Sequence, residues 1–377
     1  MAEHRDAPGE PVTADAVLVT GAFGLVGTAV VRRLVDEGRH VVATDLDVPG
    51  NRNKARRLPR SGQVEVRWAD LTDRAAVHSL VTDVTPGAIV HLAAVIPPAC
   101  YARPDLARKV NVEATRSLVL AASMQPSPPR LVLASSVAVY GARNPHRGTA
   151  VLTSATPVDP CDLYGYHKVE AEQAVRSSDL DWVILRLGGV LTPEPRTDVG
   201  PDLVYFEGLL PVDGRIQTVD VRDVARAFAG ATTIGASREV LLIGGDETHR
   251  VLQGSLRSAL SAAMGLTGVL PDGRRGDPGS DRDWFATDWM DTAHAQDLLS
   301  FQHHSLPDLL AETRDAVGWR RWALGAAAPL LRVLLRSRAP YRHSPAVYAD
   351  PWGAISRKWG DPSPDPAPSS WGPGEGS

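Results

Sequence analysis

In the stretch DPCDLYGYHKVEAE, residues 159–172, Tyr164 precedes Lys168 by four positions. On a helix that spacing places both side chains on one face. A phenol and an ammonium so placed can form a proton-transfer pair. A nearby positive charge stabilises the phenolate and lowers a pKa that ordinarily lies near 10. The same spacing also describes a solvated helix face. The choice between the two rests on what the rest of the chain places around the pair.

A second chemical feature lies near the start of the chain. The run TGAFGLVG carries Gly21, Gly24 and Gly27 directly after the apolar AVLVT of residues 16–20. In a strand–turn–helix the first glycine permits a tight turn, the second lets backbone approach a pyrophosphate, and the third lets the helix pack closely on the strand. The helix N-terminus then offers N–H groups and a positive dipole to the phosphates. The whole turn, Phe23 and Leu25 included, is expected to line a dinucleotide. Asp45 ends the next apolar run, 24 residues after Gly21. That is close to the ~20 expected for a carboxylate that holds the adenosine ribose hydroxyls. A carboxylate there repels a 2′-phosphate, so NAD is favoured over NADP, while Arg52 and Lys54 close by soften the preference. The competing reading of Asp45 is a surface residue in a β–α turn.

These groups need elements to hold them. Short apolar runs (AVLVT, HVVATDL, QVEVRWA, AIVHLAA, RLVLASS, DWVILRL) alternate with longer helical patterns from Ala16 to about residue 188. Among the helical patterns are one continuous stretch around 104–123 and a helix opening near Asp162. Strands joined by crossovers of this length predict a parallel sheet with helices on both faces. Nearly all-apolar strands agree, because such strands are buried on both sides. The expected fold class is α/β, a Rossmann-type doubly wound parallel sheet with a smaller C-terminal substrate-binding α/β region. The expected division is a disordered lead-in at 1–15, an NAD-binding domain at 16–188 and a substrate-binding region at 189–319 interleaved with it. An apolar, arginine-flanked helical extension at 320–360 and a Pro/Gly/Ser-rich disordered tail at 361–377 follow. The stretch 320–335 is expected to pack against the body or a partner, with a membrane surface as the alternative.

Composition narrows the function. A net charge of −4 and a pI of about 6.3 give no reason to expect nucleic acid as partner. Two cysteines, Cys100 and Cys161, cannot make a disulfide framework and fit a reducing cytoplasm. No apolar run reaches the ~18 residues of a membrane-spanning helix. No metal site is expected: His303 and His304 read as part of a solvated loop without metal-ligand partners.

With TGAFGLVG at the first turn and YGYHK at 164–168, the chain resembles the extended short-chain dehydrogenase/reductase family. That family includes NAD-dependent sugar epimerases, dehydratases and 3β-hydroxysteroid dehydrogenases. Further motifs arrive in order: ADLTD at 69–73, HLAA at 91–94, NVEAT at 111–115, ASSVAVYG at 134–141, VDVRDVARAF at 219–228, and MDTAHAQDLL onward from 290. The resemblance implies cofactor contacts by Asp70, Leu71, Ala93, Asn111, Tyr164 and Lys168. It implies a catalytic set of Ser136, Tyr164 and Lys168, with Ser136 preferred to Ser135. Tyr164 would move the proton, Lys168 would support its phenolate and bind the nicotinamide ribose, and Ser136 would orient the substrate oxygen. Tyr140 and Tyr166 read as packing residues, and Cys161 as lining the site. Homodimerisation through the helices flanking the sheet would fit the family.

The resemblance also separates reactions. Its dehydratases carry an acidic pair after the hydroxyl residue, where this chain has Val137 and Ala138. Its nucleotide-sugar epimerases show R-x-x-N-x-Y-G-P, where this chain reads RLGGVLTP, with Gly189 and Leu191 at the asparagine and tyrosine positions. The leading expectation is a cytoplasmic NAD-dependent oxidoreductase that interconverts an alcohol and a carbonyl on a small molecule. A nucleotide-sugar epimerase is second, and a cofactor-sensing protein without turnover is third.

Overall fold

A computed structural model describes residues 16–58, 62–195, 200–342 and 344–364. The lead-in 1–15 and the tail from 365 lie outside the described residues. Among the described residues ten strands run in chain order: β1 (Val17–Thr20), β2 (Val41–Asp45), β3 (Val64–Trp68), β4 (Ala88–His91), β5 (Arg130–Ser136), β6 (Trp182–Leu187), β7 (Gly189–Leu191), β8 (Arg215–Asp220), β9 (Glu239–Ile243) and β10 (Arg250–Leu252). Seven of them form one sheet in the order β3-β2-β1-β4-β5-β6-β9. Every pairing in it is parallel. The sheet is buried on both sides, between one cluster containing Val19, Val30, Val132 and Phe228 and another containing Leu18, Val77, Leu118 and Ile184. That is the doubly wound Rossmann architecture.

The Rossmann sheet is not confined to 16–188. Its seventh strand, β9, comes from residues 239–243, so the two halves of the chain share one sheet. A second sheet, β10-β8-β7, pairs β7 with β8 in parallel and β10 with β8 antiparallel, beside the carboxyl end of the first.

The strand order reverses between β1 and β4, and in such sheets the crevice outside the carboxyl ends at that point receives the ligand. A buried histidine ties these two strands together. His91 hydrogen-bonds through Nδ1 to Thr20 Oγ1 at 2.7 Å and through Nε2 to Thr115 Oγ1 at 2.9 Å. Burial, assisted by the positive charge of Lys168, lowers its pKa to about 3. The folded protein therefore keeps His91 neutral where an unfolded chain, at about 6.5, takes up a proton. Below about 6.5 this group removes stability as pH falls toward its folded value. Denaturant melts at pH 7 and 4.5 should show an acid loss that shrinks in His91→Gln. An equal loss in both proteins would contradict that role.

The predicted helix at 104–123 is interrupted. Helices Pro104–Arg108 and Ala114–Ser123 flank a π-helical turn, Lys109–Glu113. The wider turn holds Asn111 inward. There its amide accepts from Val95 N–H at 2.7 Å and donates to Val95 C=O at 2.9 Å. Turns of this kind are frequent at functional sites. The loop of His303 and His304 is also less solvated than the sequence suggests. Both backbone N–H groups donate to Asp223 Oδ2, and His304 Nδ1 lies 2.6 Å from Oδ1 of the same fully buried carboxylate.

The extension meets the body only lightly. Helix Arg320–Ser337 has no buried residue, so it does not dock deeply on the body. The segment after it returns instead. Tyr341, Ala349, Ala354 and Ile355 enter a cluster with Cys100, Tyr101, Phe206 and Leu209, against which Tyr164, Phe285 and Trp352 also pack. Leu163 N–H donates to Pro362 C=O at 2.8 Å, joining the far end of the chain to the start of the tyrosine-bearing helix.

Candidate active site

The glycine turn is built as a nucleotide cradle. Gly21 has φ +65°, and a Cβ there would lie 2.8 Å from Ala93 N. A Cβ on Gly27 would sit 2.1 Å from Gly21 C=O, so the helix Leu25–Asp36 can approach β1 only through glycine. Gly24, the N-cap residue, contributes no side-chain cap, and its only close neighbour is Gly21 C=O at 3.3 Å. The first-turn N–H groups are thus left for an anion, with the helix dipole behind them.

Asp45 faces this turn from the end of β2. Its Oδ2 accepts from Phe23 N–H at 3.0 Å and its Oδ1 from Leu46 N–H at 2.8 Å. A carboxylate has about four acceptor positions, so two remain for a vicinal diol. Lys54 donates to Phe23 C=O at 2.8 Å, and Arg52 is held by Asp47 through a 2.7 Å bond. Both cations therefore already have a partner. Phe23 lies buried beneath the turn with its ring centroid 5.3 Å from that of Trp68, whereas Leu25 is exposed. The residues of the cradle and Asp45 thus fit a dinucleotide carrying an unphosphorylated adenosine ribose.

The other residues expected to touch the cofactor have structural contacts of their own. Asp70 Oδ1 accepts from both the N–H and the hydroxyl of Thr72, at 2.9 and 2.8 Å, so it shapes its own turn. Leu71 is buried. Ala93 fits against Gly21, and Asn111 secures Val95. These side chains position the loops after β3 and β4 at the rim of the crevice.

Tyr164 and Lys168 lie on the helix Leu163–Arg176. Asp162 caps it, accepting from Gly165 N–H at 3.1 Å and Tyr164 N–H at 3.3 Å. Asp162 is itself fixed by the Tyr101 hydroxyl, which donates to it at 2.6 Å. Gly165 sets the spacing of the site: a Cβ there would meet Ala138 C=O at 2.4 Å. Ala138 belongs to the 3₁₀ turn Val137–Tyr140, whose N-cap is Ser136. Glycine therefore brings the tyrosine helix against the serine-bearing strand end. Sequence reasoning missed this contact although the glycine stands inside YGYHK.

The resulting geometry joins all three expected groups. The Ser136 hydroxyl accepts from Ala138 N–H at 3.2 Å and stands near enough to the Tyr164 phenol to favour its ionised form. Lys168 Nζ donates to Ala134 C=O at 2.8 Å and lies 5.8 Å from the centroid of the Tyr164 ring. Burial raises the Tyr164 phenol above its ordinary value, the neighbouring Cys100 adds to that, and the Ser136 hydrogen bond opposes it. Burial lowers Lys168 to about 8, against the pull of Glu172. At neutral pH the lysine is still charged, while the phenol is protonated and able to give its proton to a substrate oxygen.

Ser135 points elsewhere. Its Oγ donates to Glu172 Oε1 at 2.6 Å, and the same carboxylate takes a two-pronged bond from the buried Arg186 at 2.8 and 2.7 Å. Arg186 also donates to the Tyr140 hydroxyl at 2.6 Å, so Tyr140 belongs to a buried polar cluster as well as to the core. Removing one partner from such a cluster is costly. Ser135→Ala should lose about 1–3 kcal/mol of stability with turnover per folded molecule retained. Ser136→Ala should melt within about 1 kcal/mol of wild type yet lose most turnover. Chemical denaturation beside initial rates separates the two, and an activity loss in the Ser135 variant alone would reverse the assignment.

Comparison with known proteins gives the family. Residues 17–206, half of the chain, match the NAD dependent epimerase/dehydratase family, and the chain belongs to that family. It is similar to D-erythronate dehydrogenase of Cupriavidus necator, at 31% identity over 186 residues, covering 45% of this chain and 54% of that protein. It is also similar to the methionine adenosyltransferase 2 subunit beta of Rattus norvegicus, at 33% identity over 172 residues, 45% of this chain and 46% of the other. Among solved structures it resembles a UDP-glucuronic acid 4-epimerase variant from Bacillus cereus in complex with a fluorinated UDP-sugar and NAD. There the TM-score is 0.66 at 20% identity, covering 80% of this chain and 98% of that one. The chain spans about half the length of the curated relatives it matches. Among the described residues no helix is long and apolar enough to cross a membrane.

Proposed function

We propose that the protein is an NAD-dependent oxidoreductase that interconverts a secondary alcohol and a carbonyl on a small molecule. The observation that carries this reading is the convergence of Ser136, Tyr164 and Lys168 at the carboxyl end of the sheet, beside the β1/β4 crevice. NAD, when bound, supplies the hydride acceptor. The chain's own groups then do the rest: Ser136 orients the substrate oxygen, Tyr164 exchanges its proton with that oxygen, and the charge of Lys168 stabilises the phenolate left behind. Residues 16–188 would hold the cofactor, while 189–319 and the returning segment shape the substrate side. A reducing, cytoplasmic setting suits the two free cysteines, and a homodimer through the sheet-flanking helices would suit the family.

Two features favour a small substrate over a nucleotide sugar. Gly189 has no side chain at the place where the resembling epimerases show an asparagine, and a Cβ there would press on the terminal methyl of Ile216 at 2.9 Å, so that substrate contact is lacking. Trp352 stacks on Phe285 with centroids 5.2 Å apart at 25°, and both pack against the same apolar cluster as Tyr164, which we read as narrowing the substrate side. Val137 and Ala138, both buried, offer no acid for eliminating water.

A nucleotide-sugar epimerase is the second reading, favoured by the likeness in fold to the NAD-bound UDP-glucuronic acid 4-epimerase across most of both chains. A non-catalytic NAD(P) sensor is the third. Calorimetric titration tests the cofactor. NAD should bind at least about tenfold tighter than NADP, and Asp45→Ala should erase the difference, since one lost charge-assisted contact is worth roughly 1.5–3 kcal/mol. Tighter binding of NADP by the wild-type protein would overturn the cofactor assignment.

A further inference from the structure

The helix Arg320–Ser337 presents a face that no other part of the described chain covers. Trp319 and Trp322 are 76% and 77% exposed, and Leu330 and Val333 75% and 67%. Positions 319, 322, 326, 330 and 333 recur at helical spacing, so they form one continuous apolar stripe. The opposite face meets the body lightly. Arg332 donates to Gly268 C=O at 2.7 Å, and Gly265 allows close approach, since a Cβ there would lie 2.6 Å from Arg321 C=O. Exposed tryptophans and branched aliphatics in one line are not what a solvated helix carries.

Charge indicates what covers the stripe. Between Asp315 and Asp350 the sequence has six arginines and no carboxylate, in a chain whose net charge is −4. Arg320 and Arg336 stand exposed at the two ends of the helix. Beyond it, Arg338 and Arg342 line a cavity of about 660 Å³ in which Asp272 is the one lining carboxylate among the described residues. A second copy of this chain would bring like charges together across a two-fold interface, which disfavours it. An apolar stripe with tryptophan, flanked by arginines, on a helix unable to span a bilayer, has the make-up of a helix lying in an anionic membrane interface.

We propose that the helix Arg320–Ser337 docks the protein on an anionic phospholipid surface, with Trp319, Trp322, Leu330 and Val333 in the acyl boundary and Arg320 and Arg336 at the headgroups. The inference is independent of the reaction assigned to the active site.

Flotation of the full-length protein with vesicles tests it. The protein should rise with vesicles of equal parts phosphatidylglycerol and phosphatidylcholine and remain behind with phosphatidylcholine alone. Moving from about 0.1 M to about 0.5 M salt should weaken binding several-fold. The triple variant Trp322→Ser/Leu330→Ser/Val333→Ser should lose about tenfold or more of its vesicle affinity, and so should Arg320→Glu/Arg336→Glu. All five positions are exposed, so both variants should melt with wild type, which separates lost docking from lost folding. Absence of binding to anionic vesicles, or binding untouched by either variant, would overturn the proposal. So would a concentration-dependent dimer in sedimentation velocity that the serine variant abolishes, because the stripe would then be an interface between copies.

Discussion

Tyr164→Phe is expected to lower turnover by about 10²–10⁴-fold, the usual contribution of a positioned proton donor, while cofactor affinity stays within a few-fold of wild type. The substitution removes one oxygen and leaves the ring, which packs against the aromatic cluster with Phe285 and Trp352. Because the loss is confined to the phenol, the melting temperature should move little. The fold dependence on pH is equally telling. Burial raises the Tyr164 phenol in the free protein with Lys168 already beside it, so the positive charge of the oxidised cofactor must bring it back toward working range. The wild-type rate of alcohol oxidation should therefore rise with pH, and the residual rate of the phenylalanine variant should not follow it. A phenylalanine variant with wild-type kcat would remove Tyr164 from the chemistry.

Lys168→Met should cost about a hundredfold or more in turnover, and it carries a second signature in stability. Lys168 titrates at about 8 in the folded protein because it is buried, against about 10.4 in an unfolded chain. Between those values the unfolded chain holds the extra proton, so stability from this group rises with pH through the window and is lost as pH falls through the folded value. Wild type should gain denaturant stability between pH 8 and pH 10 by a component that Lys168→Met lacks. At neutral pH the two effects of the substitution oppose each other. Removing a buried charge favours the variant, while leaving the Ala134 carbonyl without its donor disfavours it. The difference in pH slope is therefore the diagnostic quantity. The chain has four lysines, Lys54, Lys109, Lys168 and Lys358. Competitive acetylation read by mass spectrometry can assign the low-pKa group directly, and a slope shared by both proteins would refute the assignment.

Much of the candidate site was legible because it depends on local spacing. Gly21, Gly24 and Gly27 act within one turn, Asp45 ends the following strand, and Tyr164 and Lys168 share one helix face whatever lies around them. Ser136 needed the resemblance, since nothing local separates it from Ser135. The structure separates them by partner: Ser136 caps the turn at Ala138 beside the tyrosine helix, while Ser135 donates to Glu172. What stayed hidden was contact at a distance in sequence. β9 joins the sheet from residues 239–243 although the strand–helix alternation weakens after 188. The π turn at Asn111 carries no signature in a helical pattern of ordinary residues. The return of Tyr341, Ala349, Ala354 and Ile355 to the cluster of Phe206, and of Pro362 to Leu163 N–H, rests on distant partners that no local periodicity reveals.

The most direct test of the assignment is absorbance at 340 nm after mixing the NAD-loaded protein with short-chain aldonates, other small secondary alcohols and UDP-sugars. A rise is expected with one of the small alcohols, absent in Tyr164→Phe, and released as free NADH on turnover. A protein that binds NAD yet reduces none of it with any of these alcohols, while changing a UDP-sugar at the carbon bearing its hydroxyl, would contradict the dehydrogenase reading and establish the epimerase in its place.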